Sequence, residues 1–372
     1  MAQVTGTPSR FAGLSQRQAI AVLVALFLSI TVSSFLLRPP ASSSAPSSSA
    51  TNPAERPQAS GTQNHEDLAL YRKITTRVAH GETYYKVAAD EQRRGGYPLH
   101  PFVVVRLPTL ALVSATLGQT ATAALLYALL GITLLVWAKR LDGCFGASGG
   151  RVTALGTIVA TMIIVFSREF QVMHEIWAGL LLALVFGIHR PDRWIIAACV
   201  AGVALFIREL ALPFVLLMIA FAMVERRWRE VATLSAIVGL FALFMSYHAG
   251  QVAAVTTAAD PSSPGWMAIG GWPAVVRTTL APGPLRFLPE NIGAIIMILS
   301  LFGWASWHSR TGLFGTLLFI GYGVFFMLFG RPDNFYWGLI VIPTFLIGLA
   351  FLPRAFSDLR AVITPKLDFT PA

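Results

Sequence analysis

Residues 194–224 read WIIAACVAGVALFIRELALPFVLLMIAFAMV, two apolar runs separated by one ionised pair, Arg208-Glu209. Read as a single tilted helix, the stretch sets both charges at mid-membrane. It also puts the basic residues at its two ends, Arg193 before it and ERRWRE (225–230) after it, on opposite sides. Read as two short spans, 194–207 and 210–224, with a tight turn at Arg208-Glu209, it returns both basic ends to one side. Pro213 then falls in the first turn of the second helix, where a missing N–H leaves nothing unsatisfied. The two-span reading fits the rest of the chain.

Eight further apolar blocks lie outward from this pair: 18–37, 119–138, 152–167, 170–188, 231–248, 290–307, 311–329 and 337–353. A bilayer-spanning helix needs about 20 mainly apolar residues. A backbone in hydrocarbon must satisfy its own hydrogen bonds, which forces helices. Hydrophobic residues make up 55% of the chain and charged residues only 12%, against about a quarter charged in soluble domains. Mean hydropathy is +0.64. These features predict an all-α polytopic membrane protein with about ten transmembrane helices. Parity orients it. The alternate loops KRLDGCFGASGGR, HRPDR, ERRWRE, HSR and PRAFSDLR carry three, two, three, one and two Lys or Arg; the short turns between them carry one each, Arg168, Arg208 and Arg331. The positive-inside rule makes the first set cytoplasmic.

The predicted organisation follows. Residues 1–17 form a cytoplasmic N-terminus and 18–37 the first span, whose apolar core exceeds the 7–15 residues of a signal peptide and reads as an uncleaved anchor. A Pro/Ser/Ala linker (38–61) cannot bury a core. Residues 62–118 form an outer-face loop in which Leu68, Tyr71, Ile74 and Val78 recur at helical spacing, as in an amphipathic surface helix. Within it, 103–118 reads as a re-entrant or surface helix because of Arg106 and Pro108. The bundle occupies 119–353, interrupted by an outer loop at 249–289, and 354–372 form a cytoplasmic tail.

The net charge of +10 sits at the ends of apolar blocks, as topology determinants do, and no nucleic-acid motif accompanies it. Cys144 and Cys199 fall in an inward loop and inside a span, so they do not pair, and no CxxC spacing suggests a metal. No cofactor is expected, with a divalent cation left open.

The ionisable groups divide the function classes. No Asp, Glu, Lys or Arg lies mid-span, whereas ion-coupled transporters usually need such groups near the midplane. Charges gather instead on the outward side. Glu66, Asp67 and Arg106 lie in the first loop; Glu175 lies near the outward end of the 170–188 block, and Arg208, Glu209, Arg286, Arg331 and Asp333 lie in later loops and turns. Asn334 and Tyr336 adjoin the last of these. The pattern suggests a recessed polar cavity facing outward. Plainer readings exist for each group: Arg-Glu neighbours can satisfy each other, His174 suits an interfacial position better than a metal site, the aromatics suit an interface, and Asp67 at a helix start can serve as a cap.

One stretch shifts this balance. Asp67, Tyr71, Gly81, Tyr84-Tyr85, Tyr97-Pro98 and Arg106-Leu107-Pro108 resemble the first outer loop of the GT-C superfamily of glycosyltransferases, membrane enzymes that use polyprenyl-phosphate sugars. The later GRPDNFYW (330–337), before a final span with Pro343, resembles that family's outward Arg/Tyr turn. The plan of one span, a long outer loop and many further spans covers nearly the whole chain. The 38–61 linker, which sets the acid about thirty residues beyond the first span, departs from many members.

The resemblance implies a single-displacement sugar transfer at the periplasmic face of a bacterial inner membrane. Asp67, or Glu66 if the register is shifted, would be the general base on an acceptor hydroxyl. Arg331 would bind the lipid phosphate, with Arg208 as the alternative and Arg106 or Arg286 behind it, since guanidinium groups suit phosphate by bidentate geometry. Glu175, Glu209, Asn334 and Tyr336 would complete the substrate site. The partners implied are a polyprenyl-phosphate-linked sugar, a glycan, lipid or protein acceptor, and the bilayer. An O-antigen polymerase or ligase would also use outward arginines without the acid-Tyr-Gly-Tyr loop. A lipid-linked-sugar flippase fits the charge-free span centres less well.

Overall fold

In the computed structural model, which describes residues 8–37, 60–146, 148–265 and 267–364, every apolar block of the sequence is helical. Helix α1 (Gln16–Leu36) opens on a capping box in which Ser15 Oγ accepts from the Gln18 N–H and the Gln18 side chain accepts from the Ser15 N–H. Next come α2 (Ser60–Ala79), α3 (Tyr84–Arg94) and the short α4 (Thr109–Leu117), then α5 (Gln119–Arg140) and α6 (Ser148–Met162). The bundle continues with α7 (His174–Ile188), α8 (Trp194–Ile207), α9 (Leu212–Val224), α10 (Trp228–Val255), α11 (Gly271–Leu280), α12 (Glu290–Ser306) and α13 (Arg310–Phe329). Helices α14 (Ile342–Phe345) and α15 (Leu352–Ile363) close the chain.

Five helices are long and apolar enough to cross a membrane: α1, α5, α6 with its 3-10 extension to Phe166, α10 and α13. A bent pair, Pro332–Ile340 and Ile342–Ile363 at 56°, makes a sixth if taken as one span. Helices α7, α8, α9 and α12 are apolar but only 13 to 17 residues long. The structure is thus all-helical, with no strand among the described residues and five to six candidate spans. The tight turn read between 194–207 and 210–224 is present, as a 3-10 turn at Glu209–Ala211.

One expectation is corrected. The block 337–353 is no continuous helix: it passes through 3-10 turns (Pro332–Ile340 and Leu346–Phe351) on either side of α14. Close approach explains this, because a Cβ at Gly338 would collide with the Thr278 carbonyl and one at Gly348 with the Ser300 carbonyl. The 354–372 tail is helical as far as Ile363, and Ala355 and Leu359 bury against Phe11 and Ala19 in a small core of their own. Of the linker, residues 38–59 lie outside the described residues.

The main core runs through the bundle around Trp137, Phe186 and Trp304, whose rings meet edge-on or stacked at 5.2–6.2 Å. Each buried indole N–H has a partner: Trp137 donates to the Ala183 carbonyl and Trp304 to that of Phe345, as burial of a polar handle requires. A second core joins the loop helices, with Leu70, Ile74, Tyr84, Tyr85, Leu99 and Val252 among its members. This second core marks the loop end of the bundle.

Candidate functional site

Two reversals of the chain aim the loop-end side chains. After α2, Gly81 (φ 92°) takes the left-handed conformation, and the Glu82 N–H returns to the Arg77 carbonyl. After α3, Gly96 (φ 70°) does the same and the Tyr97 N–H returns to Gln92. Both are Schellman caps, which favour glycine at that position because it pays no Cβ penalty at positive φ. The second one turns Tyr97-Pro98 inward, and Gln92 Nε2 donates to the Pro98 carbonyl at 3.0 Å.

The resulting hub is Arg106. Its Nε donates to the Tyr71 hydroxyl and its Nη2 to the Tyr336 hydroxyl, both at 3.0 Å, with both rings 5.4–5.6 Å from the guanidinium carbon. The Tyr84 hydroxyl donates to the Arg106 carbonyl at 2.7 Å. Burial raises the pKa of Tyr71 and of Tyr84, so both phenols stay protonated. Behind the hub lies Glu175, 2% exposed, 2.8 Å from Arg208 Nε and 3.4 Å from Arg106 Nη2. Arg208, equally buried, also pairs with Glu209. Two cations and two carboxylates balance, which is how buried charge is tolerated.

The hub separates two cavities. The larger, about 340 Å³, is polar and lined by Asp67, Gln92, Tyr97, Arg331, Asp333 and Asn334 among others. The smaller, about 70 Å³, is largely apolar, with Ile164, Phe170, Met173 and Leu339 in its wall and Arg286 and Glu175 at its polar side. Asp67, Tyr71, Arg106, Phe335 and Tyr336 line both.

Most of the residues singled out from the sequence therefore converge. Arg208, Arg331, Asn334 and Tyr336 line the polar cavity, Arg286 and Glu175 the apolar one, and Glu209 neither; its carboxylate serves Arg208. Arg331 is engaged already, by Asp333 at 2.9 Å, the Pro264 carbonyl at 2.9 Å and Ser263 Oγ at 3.3 Å. Arg286 makes no ion pair among the described residues and rests its guanidinium 4.7 Å from the Phe287 ring centre. Asn334, 5% exposed, accepts a long bond (3.4 Å) from Tyr336 while its Nδ2 has no partner among the described residues. The Glu66 side chain lies outside the described residues. The reading of Asp67 as a helix cap is corrected: α2 begins at Ser60, so Asp67 stands about two turns inside it. His174 is a buried donor to the Leu107 carbonyl at 3.2 Å. Among the described residues no three His, Cys, Asp or Glu side chains are grouped to hold a metal.

Sequence reasoning missed what ties the two long loops together. Arg93 grips Asp260 through two bonds of 2.7 and 2.8 Å, and the Leu99 N–H donates to the Pro261 carbonyl. Arg93 holds the Asp260 carboxyl well below the usual carboxylate range. This clamp brings Ser263 into the wall of the polar cavity. Partners 167 residues apart leave no local signal, although Tyr97-Pro98 after two glycines does mark a turn. No protein-family model, curated protein or solved structure matches this chain.

Proposed function

We propose that this chain is a GT-C-type glycosyltransferase of the bacterial inner membrane, with its loop end in the periplasm. It moves a sugar from a polyprenyl-phosphate donor to an acceptor hydroxyl. In this reading α7, α8, α9 and α12 are also spans, giving ten with the six candidates. One observation carries it: Asp67 stands where a polar cavity and an apolar one meet. An enzyme that joins a water-facing acceptor to a lipid-borne donor needs that junction.

The chemistry then assigns itself to places. The first isoprene units occupy the apolar slot, whose wall includes Arg286; the neighbouring Phe287 is 77% exposed. Arg286, which makes no ion pair among the described residues, binds the phosphate and stabilises it as it leaves. Arg331, held by Asp333, becomes a wall of the polar cavity instead. The acceptor oxygen attacks the sugar's anomeric carbon, the carbon–phosphate-oxygen bond breaks with its electron pair going to polyprenyl phosphate, and Asp67 takes the acceptor proton. Asn334 Nδ2 offers a donor to a sugar hydroxyl.

The test is Asp67→Asn in purified protein. Asparagine keeps the shape and removes the base, and loss of a general base costs about a hundredfold to ten-thousandfold in rate. Transfer should collapse while thermal stability and donor binding persist. Near-full activity in both Asp67→Asn and Glu66→Gln would overturn the mechanism.

A further inference from the structure

A separate cavity of about 280 Å³ opens on a different face of α2, walled by α4, the start of α5 and the 168–172 turn. Arg72 and Arg168 both line it, and among the described residues neither has an ion pair or a side-chain hydrogen bond. Among the described residues no carboxylate lines it. Ser114, 9% exposed in the middle of α4, also faces it. A mid-helix hydroxyl normally returns to the carbonyl four residues back, as Thr116 does to Leu112. Ser114 Oγ has no partner among the described residues, and Ser114 lines the cavity. The wall also includes Gly118 and Gln119, the opening of α5, which has no side-chain cap. The first turn of this 22-residue helix, whose leading N–H groups have no intrahelical partner, therefore forms part of the wall.

Two arginines, an open hydroxyl and a helix start, with no acid among them, make an anion site. Its flanks say what carries the anion. Val113 and Leu117, beside Ser114 and Gly118, are 39% and 47% exposed, and Phe166, two residues before Arg168, is 57% exposed. A soluble anion has no use for that surface.

We infer that this cavity binds the phosphate of an anionic glycerophospholipid, with the acyl chains lying on the exposed faces of α4 and Phe166. Basic pockets between membrane helices take lipid headgroups in this way. The inference does not rest on the proposed transfer reaction. It bears on it physically, because Thr75 and Ser114 are shared with a small void reaching Tyr71. A bound headgroup would thus brace the helix that carries Asp67.

The experiment is thermal denaturation of the full chain in a neutral detergent, titrated separately with dioleoylphosphatidylglycerol, dioleoylglycerol and sodium phosphate. The phosphatidylglycerol should raise the midpoint and the other two should not. Arg72→Gln with Arg168→Gln should need at least about tenfold more phosphatidylglycerol for the same shift, since charge-assisted bonds are lost. Arg151→Gln with Arg193→Gln, basic residues at the opposite end, should respond as the native protein does. If the first pair fails to fold, Ala115→Trp fills the cavity from α4 without touching a charge and should abolish the shift. An unchanged response in the cavity variants, or an equal one to dioleoylglycerol, overturns the site. An equal shift from sodium phosphate overturns the lipid as its source.

Discussion

Helix α7 carries a buried ion cluster at each end, and the two are built for different purposes. At its start, Glu175 holds Arg106 and Arg208 around the cavities of about 340 and 70 Å³. Just past its end, His189 Nε2 donates to Glu230, which is 0% exposed, at 2.8 Å, and His189 Nδ1 accepts from Arg310 at 3.2 Å. Arg227 pairs with Glu230 and Glu225, and Arg310 with Glu225. The space beside this second cluster is only about 10 Å³. Charges at the loop end surround open cavities; charges at the far end fill their own space. Buried ion pairs as such do not mark a site, and open space beside them does.

The pair of substitutions expected to part most widely is Asp67→Asn and Glu230→Ala. The first should lower transfer by about a hundredfold to ten-thousandfold with no change in melting. The second strands Arg227 and His189 in a buried setting, which costs about 3–5 kcal/mol, while the fraction that stays folded turns over normally. Activity per folded molecule, measured against a melting curve, checks both. If Glu230→Ala loses turnover without losing stability, the far end is part of the machinery and the comparison fails.

Acid should act on the far end next. Burial, helped by Arg310 and Arg227, pushes the His189 pKa down to about 4 from an unfolded value near 6.5. Between those values the unfolded chain binds the proton and the folded one does not, so stability is full above about pH 6.5 and falls as pH drops toward 4. The loss is of order 3 kcal/mol by the shift. His189→Gln, neutral throughout, should flatten that part of the melting profile. An unchanged slope would show that other groups carry it.

The two ends were not equally legible in the sequence. The helices were, because hydropathy blocks and basic flanks report the bilayer directly. So was the gathering of Asp67, Arg106, Arg208, Arg331 and Tyr336, because the resemblance and the outward parity both pointed there. The far-end cluster was hidden inside ERRWRE, whose charges read as topology markers. Arg226 adopts φ 55°, and the Arg227 N–H returns to the Ala222 carbonyl, a Schellman cap with arginine where glycine is usual. That turn swings Arg227 back toward Glu230, and no residue type in the sequence announces it. The broken 332–351 segment was hidden for a related reason. Hydropathy counts side chains, whereas Gly338 and Gly348 act by letting backbones touch.

The smallest expected effect discriminates within the loop end. Arg331 and Arg286 are both arginines on its cavities, and the sequence favoured Arg331 for the lipid phosphate. Their surroundings differ. Arg331 is held by Asp333, Ser263 and Pro264, and among the described residues Arg286 has only the Phe287 ring. A phosphate arriving at Arg331 must displace or share a carboxylate; at Arg286 it meets a cation whose hydrogen-bonding edge is open. Arg286→Ala should therefore weaken donor binding and turnover by about ten- to a hundredfold, the worth of one or two charge-assisted bonds. Arg286→Lys should recover part of this, since the charge returns and the planar fork does not. Arg331→Ala should affect acceptor KM more than donor affinity, because its wall faces the polar cavity. Donor titration with a short-chain polyprenyl phosphate, read alongside acceptor KM for the three variants, separates the roles. The reverse pattern, with donor affinity lost in Arg331→Ala and intact in Arg286→Ala, would return the phosphate to Arg331 and the apolar slot to mere packing.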